Sequence, residues 1–382
     1  MKYFDYAATC PLDPDAANTY LKAATEYYGN SQSLHDFGSH ASSLLENCRS
    51  ELAYLLQVEK EGIYFTSGGT ESNYLAIHAL LTTGKKDGKH IITSIAEHSS
   101  IHSTLEKLIS EQHYEVTALP LNGHGLIDLE ELKAVIRAET VLIIIQHGNS
   151  EIGSIQPLEE IGKLCKENDI LFHSDCVHTF GKIDLRTVAL LVDSLSISGH
   201  KFYGPKGTGA LYLNPYLNCQ PLFPNVSHER GFRPGTVDVP SITAMTVAAQ
   251  KAYKNLDSNT AHFEHLRRTL LKSLEPISHQ CTIYNCIQSN QLPSTIGIRI
   301  KGIEGQLMML ECNRRGFAIS TGSACQVGMQ SISKTMNAMG ITGKEAKEFI
   351  RISFGRDTSV AETEELGKVI IQITKEIMQS YH

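Results

Sequence analysis

Several features are scarce or missing in the 382-residue sequence, and each absence narrows the possible functions. Prolines number only 12 and charged residues make up 20%, which argues against long disordered or collagen-like stretches. The net charge is −7 and no run of basic residues occurs. Sequence-independent binding to nucleic acid and electrostatic attachment to an anionic membrane are therefore both disfavoured. We therefore expect neither a nucleic acid nor a membrane among the partners.

Long apolar runs are missing as well. The longest near the middle, Val141–Ile145, is far short of the ~20 residues that cross a bilayer. Asp5 lies where a signal peptide would need its apolar stretch, so we expect a cytoplasmic protein that is not exported. The nine cysteines include no C-x-x-C pair, which argues against a complete disulfide framework and against a zinc ribbon. We expect most of the thiols to be buried and no resident metal ion.

Helical and strand patterns alternate along most of the chain. Short apolar segments predict strands at 62–66, 90–94, 115–119, 141–146, 170–174 and 192–198. Apolar residues at three-to-four-residue spacing predict helices at 39–57, 100–111, 128–138 and 157–167. This alternation predicts an α/β fold with a mostly parallel sheet that is covered by helices on both faces.

The pattern changes after about residue 238. Helices are predicted at 240–255 and 260–274, strands at 294–300 and 349–354, and a final helix begins at the capping box Ser359–Glu362. These elements predict a smaller α+β domain. No repeat, low-complexity tract or linker separates it from the first part, so we expect the boundary along a long helix near 240–260.

Polar residues follow the predicted strands, at the edge of a parallel sheet where ligands bind. Strand 62–66 runs into Thr66–Glu71, a glycine turn before a helix, and such a turn offers free backbone N–H groups to a phosphate. The turn lacks both G-x-x-x-x-G-K and G-x-G-x-x-G, which excludes a P-loop and a dinucleotide turn. An ordinary helix N-cap beside a tight turn is an equally good interpretation of this motif alone.

Two further strand ends carry ionisable groups. Asp175 ends the strand at 170–174, where it either caps the strand or pairs with a cation in the crevice. Lys201 follows the strand at 192–198. A lysine held near a crevice of low dielectric has a lowered pKa and becomes an amine that attacks carbonyl groups. A single lysine in a loop is otherwise normally a solvated charge. A phosphate cradle, a carboxylate and such a lysine together are what pyridoxal 5′-phosphate needs. His98 follows another strand, where it either stacks on the cofactor ring or is an ordinary loop histidine.

With these motifs assembled, the sequence resembles the cysteine desulfurases of the NifS/IscS family, within the class V aminotransferases of PLP fold-type I. The matching segments span nearly the whole chain in the family's order; they are Tyr3–Thr9, Thr66–Ser72, Glu97–His98, His173–Asp175, Ser198–Gly207, His228–Gly231, Arg233–Thr236, Thr321–Cys325 and Arg351–Gly355. Thr321–Cys325 is similar to the group with a long catalytic loop. The resemblance implies a large cofactor-binding domain over 14–250. It also implies a small domain, formed by 1–13 and 251–382, that carries the catalytic cysteine.

The resemblance also implies a role for each matching residue. The phosphate is held by a set of small and polar residues, namely Gly69, Thr70, Ser198, His200 and, from the second subunit of a homodimer, Thr236. Lys201 bonds the cofactor aldehyde, Asp175 pairs with the pyridinium, and His98 stacks on the ring and shuttles protons. Arg351 receives the substrate carboxylate as a bidentate partner. Cys325 is the sulfur acceptor.

Three positions depart from the family's usual pattern. The family commonly has Asn-Asn-Glu where this chain has Asn149-Ser150-Glu151, Gln where it has His178, and Ser where it has Pro234. The first two normally bond the phenolic oxygen of the cofactor. We therefore expect Asn149 or Ser150 to supply one bond, with Asn149 also near the substrate, and His178 to supply the other. A solvent-facing His178 on a helix surface is the alternative.

Cys325 also stands out without the resemblance. It lies in Ala318–Gly328, a stretch of mostly small residues with possible glycine hinges, so its thiol is expected to be accessible. By contrast, the sequence predicts burial for Cys48, Cys165, Cys176 and Cys312.

The function implied is conversion of L-cysteine to L-alanine, with a persulfide formed on Cys325. Its sulfur would pass to an acceptor protein, such as an iron–sulfur scaffold whose cluster Cys325 would contact. The stretches Cys325–Gly328 and Gly231–Thr236 resemble variants dedicated to quinolinate synthase in NAD synthesis. Two rivals remain: another class V PLP enzyme, either a selenocysteine lyase or an aminotransferase, and a non-catalytic sulfur-transfer scaffold.

Overall fold

The computed structural model describes residues 1–223, 225–285, 290–322 and 333–380. Within them the strands are β1 (Lys2–Tyr3), β2 (Ile63–Thr66), β3 (His90–Ser94), β4 (Glu115–Leu119), β5 (Thr140–Ile144), β6 (Leu171–Asp175), β7 (Ser194–Ser198), β8 (Gly209–Leu213), β9 (Cys281–Tyr284), β10 (Thr295–Ile300), β11 (Phe317–Ala318) and β12 (Phe349–Ser353). The α-helices are α1 (Pro14–Glu26), α2 (Asp36–Leu56), α3 (Gly69–Leu81), α4 (Ser99–Gln112), α5 (Leu129–Val135), α6 (Leu158–Glu167), α7 (Arg186–Leu191), α8 (Val239–Lys254), α9 (Leu256–Ser273), α10 (Gly305–Arg314), α11 (Lys334–Ala338), α12 (Gly343–Lys347) and α13 (Val360–Ser380).

The main sheet has seven strands in the order β2-β8-β7-β6-β5-β3-β4. The ladders from β7 to β4 are parallel, whereas β8 runs antiparallel to both β7 and β2. The prediction of a mostly parallel α/β sheet is therefore confirmed, but the sequence analysis missed β8. Only ten residues separate β7 from β8, and a parallel return needs a crossover of about a dozen or more.

Helices cover both faces of this sheet. Apolar residues of α3 and α4 form one core with Ile91, Leu142 and Leu211, while α2, α6 and α8 pack on the other face with Ile92, Ile143 and others. Every residue of β5, β6 and β7 is buried. Burial on both faces explains the continuous apolar run Val141–Ile144 of β5, whereas β7 buries the three serines Ser194, Ser196 and Ser198.

A second apolar core lies around the three-stranded antiparallel sheet β12-β10-β9. It takes Leu266 and Leu270 from α9 and Ile370 from α13, whereas α8 contributes to the first core. Phe4 also enters this second core, because β1 pairs with β11. The capping box that was predicted for the last helix is present: Ser359 Oγ accepts from the N–H of Glu362, whose carboxylate accepts from the N–H of Ser359.

Across the part of the chain that the structure describes, none of the helices has both the length and the apolar composition that a membrane crossing requires. The same residues contain no group of three or more His, Cys, Asp or Glu side chains placed to hold a metal ion.

Candidate active site

The predicted phosphate turn connects β2 to α3. Gly68 adopts φ +143°, a conformation that favours glycine, and precedes the first residue of the helix without any side-chain cap. A Cβ on Gly69 would lie 2.6 Å from Cγ2 of Val177, so the close approach of these two segments also needs a glycine. The first amides of α3 have no partner inside the helix, which leaves them available to an anion.

Other predicted phosphate ligands lie on both sides of this turn. Ser198, the last residue of β7, places its Oγ 3.5 Å from the position that a Cβ on Gly68 would take. Thr70 is exposed in the first turn of α3. Thr236 is exposed in the loop before α8, and the Nε of Arg233 in the same loop bonds both oxygens of Glu71 at 3.1 and 3.0 Å.

Asp175 is buried at the carboxyl end of β6, with 7% of the residue exposed. Its Oδ2 accepts from Nδ2 of Asn73 at 2.8 Å and its Oδ1 accepts from the N–H of Val177 at 2.9 Å. Asn73 also donates to Ser100 Oγ at 3.0 Å. The sequence analysis missed Asn73, although it directly follows the matching stretch Thr66–Ser72.

His98 is tied to the same network through the residue that begins α4. Its Nδ1 accepts from the N–H of Ser100 at 3.2 Å and lies 2.8 Å from Ser100 Oγ. Because Nδ1 is an acceptor, a neutral ring carries its proton on Nε2. The ring keeps an exposed face, yet desolvation by the surrounding protein lowers the pKa of His98; Lys201 also lowers it and Asp175 raises it. Through Ser100 Oγ, which also accepts from Asn73, the ring of His98 is linked to Asp175.

Lys201 follows β7 in a short 3₁₀ turn. Its Nζ donates to the carbonyl oxygens of Ala7 and Ala8 at 2.7 and 2.9 Å, which fixes the ammonium against the segment that follows β1. His200 lies beside it, with Nδ1 3.1 Å from Thr9 Oγ1. Burial and the nearby lysine charges lower the pKa of His200 to about 4, so its ring is neutral at physiological pH.

His178 lies in the turn after β6 rather than on a helix, and it is half-buried. Burial holds the pKa of His178 well below its usual value, and the charges of Lys201, Lys182 and Arg351 act in the same direction. The alternative of a solvent-facing residue on a helix surface is therefore not what the structure contains. His178 belongs with the groups around Lys201.

The side chain of Asn149 bonds residues of its own turn and one residue of α11. Its Oδ1 accepts from the N–H groups of Glu151 and Ile152 at 2.9 and 3.0 Å, and its Nδ2 donates to Thr335 Oγ1 at 3.0 Å. Asn149 is only 1% exposed, so it offers no accessible group to a ligand in this structure. Ser150 is half-buried, and its carbonyl oxygen accepts from Nη1 of Arg351 at 3.2 Å.

Arg351 lies on β12 and is 5% exposed. Its Nη2 donates to Oδ1 of Asp5 at 2.8 Å, while its buried Nε has no hydrogen-bond partner among the described residues. A buried guanidinium nitrogen without an acceptor is costly, so it indicates a site for an anionic ligand. Sequence reasoning found Arg351 but missed its partner Asp5, although Asp5 lies in the quoted stretch Tyr3–Thr9.

The cysteines divide as predicted where the structure describes them. The four expected to be buried, Cys48, Cys165, Cys176 and Cys312, are all buried and free of disulfides. Burial raises the pKa of Cys176 and of Cys312 to about 12, so neither provides a thiolate at neutral pH. Cys325, the predicted sulfur acceptor, lies in 323–332, outside the described residues.

The chain is similar to known proteins over almost its whole length. The model of the family described as aminotransferase class-V matches residues 2–366. A putative cysteine desulfurase NifS from Bacillus subtilis (strain 168) is 45% identical over 367 residues, which cover 96% of this chain and 93% of that protein. Among solved structures, a NifS-like protein has a TM-score of 0.90 at 31% identity, covering 98% of this chain and 99% of its own.

A second solved structure, described as SspA in complex with cysteine, has a TM-score of 0.79 at 31% identity, covering 93% of this chain and 99% of its own. The similarity thus extends over almost the full length of both partners in each comparison. The chain therefore belongs to the class-V aminotransferase family and, within it, to the cysteine desulfurases of the NifS/IscS type, which are enzymes.

Proposed function

We propose that this protein is a pyridoxal 5′-phosphate-dependent cysteine desulfurase that converts L-cysteine to L-alanine and leaves a persulfide on Cys325. The observation that carries the proposal is the convergence of the glycine turn, Asp175 and Lys201 at the carboxyl ends of β2, β6 and β7. The class-V aminotransferase family is in general dependent on this cofactor. Neither rival enzyme, the selenocysteine lyase or the aminotransferase, is favoured by the comparisons.

The described residues fit the cofactor. The cradle of Gly68, Gly69 and Ser198 has the close backbone approach and the amide donors that a phosphate needs, with His200 beside it. Asp175 supplies a buried carboxylate for a protonated pyridine nitrogen, held in place by Asn73. When bound, the cofactor makes the Cα–H bond of an amino acid acidic and stores the resulting electron pair.

Lys201 has two tasks in this scheme. Its Nζ would bond the cofactor aldehyde, and as a free amine it would take the proton from Cα of the substrate. The carbonyl oxygens of Ala7 and Ala8 accept hydrogen bonds from this Nζ, so they hold the amino group in a fixed position. His98, neutral and protonated on Nε2, is the second group that can give or take a proton near the substrate.

Arg351 is proposed to bind the substrate carboxylate. The unpartnered Nε and the neighbouring Nη2 are two of the parallel donors that a carboxylate accepts from a guanidinium. Asp5 already balances the charge of the arginine, which keeps the guanidinium oriented before the substrate arrives. One of the relatives described above is a complex with cysteine, which supports cysteine as the substrate here.

The sulfur step is assigned to the Cys325 thiolate. The thiolate attacks the substrate sulfur, a sulfur–sulfur bond forms, and the C–S bond breaks with its electron pair remaining on the substrate carbon. Protons from Lys201 and solvent then complete alanine, so the sulfur is oxidised to the sulfane level while the carbon is reduced. We propose that the persulfide passes on to an iron–sulfur scaffold or to quinolinate synthase, and that the reaction takes place in the cytoplasm.

The test of this function uses the purified protein with no further components. We expect a yellow, cofactor-loaded protein whose visible absorbance changes when L-cysteine is added, and which releases alanine in equal amount to sulfide in the presence of a thiol reductant. Selenocysteine and amino acid/keto acid pairs are the matched competitor substrates. A colourless protein, or one that transfers amino groups but releases no alanine from cysteine, would contradict the proposal.

We expect the active protein to be a homodimer. Thr236 is exposed in this chain and, by the family resemblance, reaches the cofactor phosphate of a second subunit. Tyr28, Leu34 and Phe37 are also exposed, and their neighbour Gln32 bonds Ser227 of the loop region that precedes Thr236. Sedimentation velocity of the cofactor-loaded protein should give the mass of a dimer. A monomer that retains the cofactor would contradict this expectation.

His178 should tune the cofactor rather than support catalysis directly. We predict that His178→Gln, which restores the family's usual residue, keeps most of the activity but moves the pH at which the visible absorbance of the cofactor titrates. The physical reason is that an imidazole and an amide polarise the phenolic oxygen differently. His262→Gln, in the second core region, is the control. An unchanged titration in His178→Gln would mean that this side chain does not touch the cofactor.

A further inference from the structure

Glu151 is a buried carboxylate that the proposed mechanism leaves unused. It lies in the turn between β5 and α6, and it accepts a hydrogen bond from the hydroxyl of Ser333. A Cβ placed on Gly322 would lie 2.8 Å from Oε2 of the same carboxylate, so the carboxylate packs directly against Gly322. Gly322 and Ser333 are the two described residues that flank 323–332, the stretch that contains Cys325.

The same turn makes two more connections. Asn149 donates to Thr335 Oγ1, two residues beyond Ser333, and the carbonyl oxygen of Ser150 accepts from Arg351. Three consecutive residues therefore contact the substrate-binding arginine on one side and both flanks of the cysteine segment on the other. The N-terminal flank is also joined to Arg351 directly, because Ser320 and Arg351 exchange two backbone hydrogen bonds at 3.1 and 2.7 Å.

We propose that Glu151 is a positioning residue for sulfur transfer, which holds both flanks of the Cys325 segment in register with Arg351. The inference rests on the proposed function, since it assumes that Cys325 attacks the sulfur of a substrate held by Arg351. A thiolate reacts only when its distance from the substrate sulfur is set, and an error of 1 Å costs about 10²-fold in rate. Glu151 touches neither the cofactor nor the substrate in this assignment.

The neighbours of Glu151 are adapted to it. Ser333 Oγ donates to the carboxylate and accepts from the N–H of Met336, so one hydroxyl both bonds Glu151 and caps α11. Residue 322 has no side chain, and any larger residue would collide with Oε2. Burial raises the pKa of Glu151. A glutamine, neutral and of equal length, is therefore the conservative replacement.

The experiment compares variants of the holoenzyme. Glu151→Ala removes the acceptor and should lower the rate of alanine release at saturating L-cysteine by about 10-fold to 10²-fold, with KM little changed. Cofactor content and the absorbance change on adding cysteine should stay at wild-type levels. Glu151→Gln should recover most of the rate. Glu348→Ala, which removes another buried glutamate, one that pairs with Arg299 and accepts from the N–H of Gly302, is the control for general loss of packing.

A second readout does not depend on turnover. In the holoenzyme without substrate, amide hydrogen exchange at Ile319–Gly322 and Ser333–Met336 should be faster in Glu151→Ala than in the wild type, and unchanged in Glu348→Ala. Should Glu151→Ala fail to fold, Ser333→Asp serves instead. It keeps an acceptor for the N–H of Met336 but places a second carboxylate against Glu151, so it should slow alanine release in the same way.

The outcomes separate the two proposals. If the wild-type protein forms no alanine, or no persulfide on Cys325, the proposed function itself is wrong. If the wild type turns over and Glu151→Ala shows the same rate of alanine release and the same amide hydrogen exchange as the wild type, only the role of Glu151 is overturned. The role of Glu151 would also be overturned if Glu151→Ala and Glu348→Ala both lost the cofactor. The effect of Glu151→Ala would then be a loss of stability and not a loss of positioning.

Discussion

Replacing Lys201 with alanine should abolish alanine release and remove the covalent attachment of the cofactor. The substitution takes away both the amine that bonds the aldehyde and the base that accepts the Cα proton. Loss of a general base alone costs about 10²-fold to 10⁴-fold, so turnover should fall to the background of the assay. The visible absorbance should be weak or lost on gel filtration, since only non-covalent contacts such as those of the glycine turn and Asp175 would remain.

The matched control for this variant is Lys206→Ala. Lys206 lies five residues further along the same loop and is exposed, so its removal tests the loss of a positive charge without the loss of the amine at the site. We expect this control to keep its cofactor and its rate. Alanine release by Lys201→Ala at a rate comparable to the control would contradict the assignment of Lys201.

Replacing Cys325 with serine should stop sulfur transfer and leave the cofactor site intact. The cradle, Asp175 and Lys201 lie at the carboxyl ends of β2, β6 and β7, and Lys201 precedes Cys325 by 124 positions in the chain. The protein should therefore remain yellow, and its absorbance should still respond to L-cysteine. Alanine should not be released, because a hydroxyl at neutral pH is a far poorer nucleophile than a thiolate.

The decisive measurement for this variant is the position of the persulfide. After brief exposure of the wild type to L-cysteine, the persulfide is labelled and located by peptide mass spectrometry, with Cys219→Ser as the control because Cys219 is half-buried and free. We expect the label on Cys325 alone. Label on any other cysteine, or continued turnover by Cys325→Ser, would show that the nucleophile is a different residue.

Much of the fold could be predicted because short apolar segments alternate with stretches of helical periodicity. The strands predicted at 90–94 and 115–119 match β3 and β4 in both bounds, and the helix predicted at 100–111 is within one residue of α4 at each end. The helix at 39–57 begins three residues earlier, at Asp36, because His35 caps it through Nδ1, and histidine is not among the preferred cap residues. Residues 281–284 form β9, which has half-buried positions and no clear alternation, so no pattern indicated it.

The sequence could indicate candidate site residues only where they lie within recognisable motifs. Lys201, Asp175 and Arg351 could be proposed from the sequence because each lies at the end of, or within, a recognisable stretch. The bonds between motifs could not be found, since Asn73 to Asp175 and Asp5 to Arg351 join residues 102 and 346 positions apart. The sequence also did not reveal that the side chain of Asn149 bonds local backbone groups and Thr335. Its contact with the cofactor and substrate stays a prediction.

The pairing of β1 with β11 has a consequence for how the protein is made. All strands of the seven-stranded sheet have been synthesised once the chain reaches Leu213. Phe4, Asp5 and β1 contact β11 and β12, which are synthesised more than 300 residues later. Such distant contacts close slowly, and the earlier domain folds first on the ribosome. The guanidinium of Arg351 acquires its counter-charge only in this final docking step. A growing chain can thus have its cofactor cradle formed while it still lacks its substrate anchor.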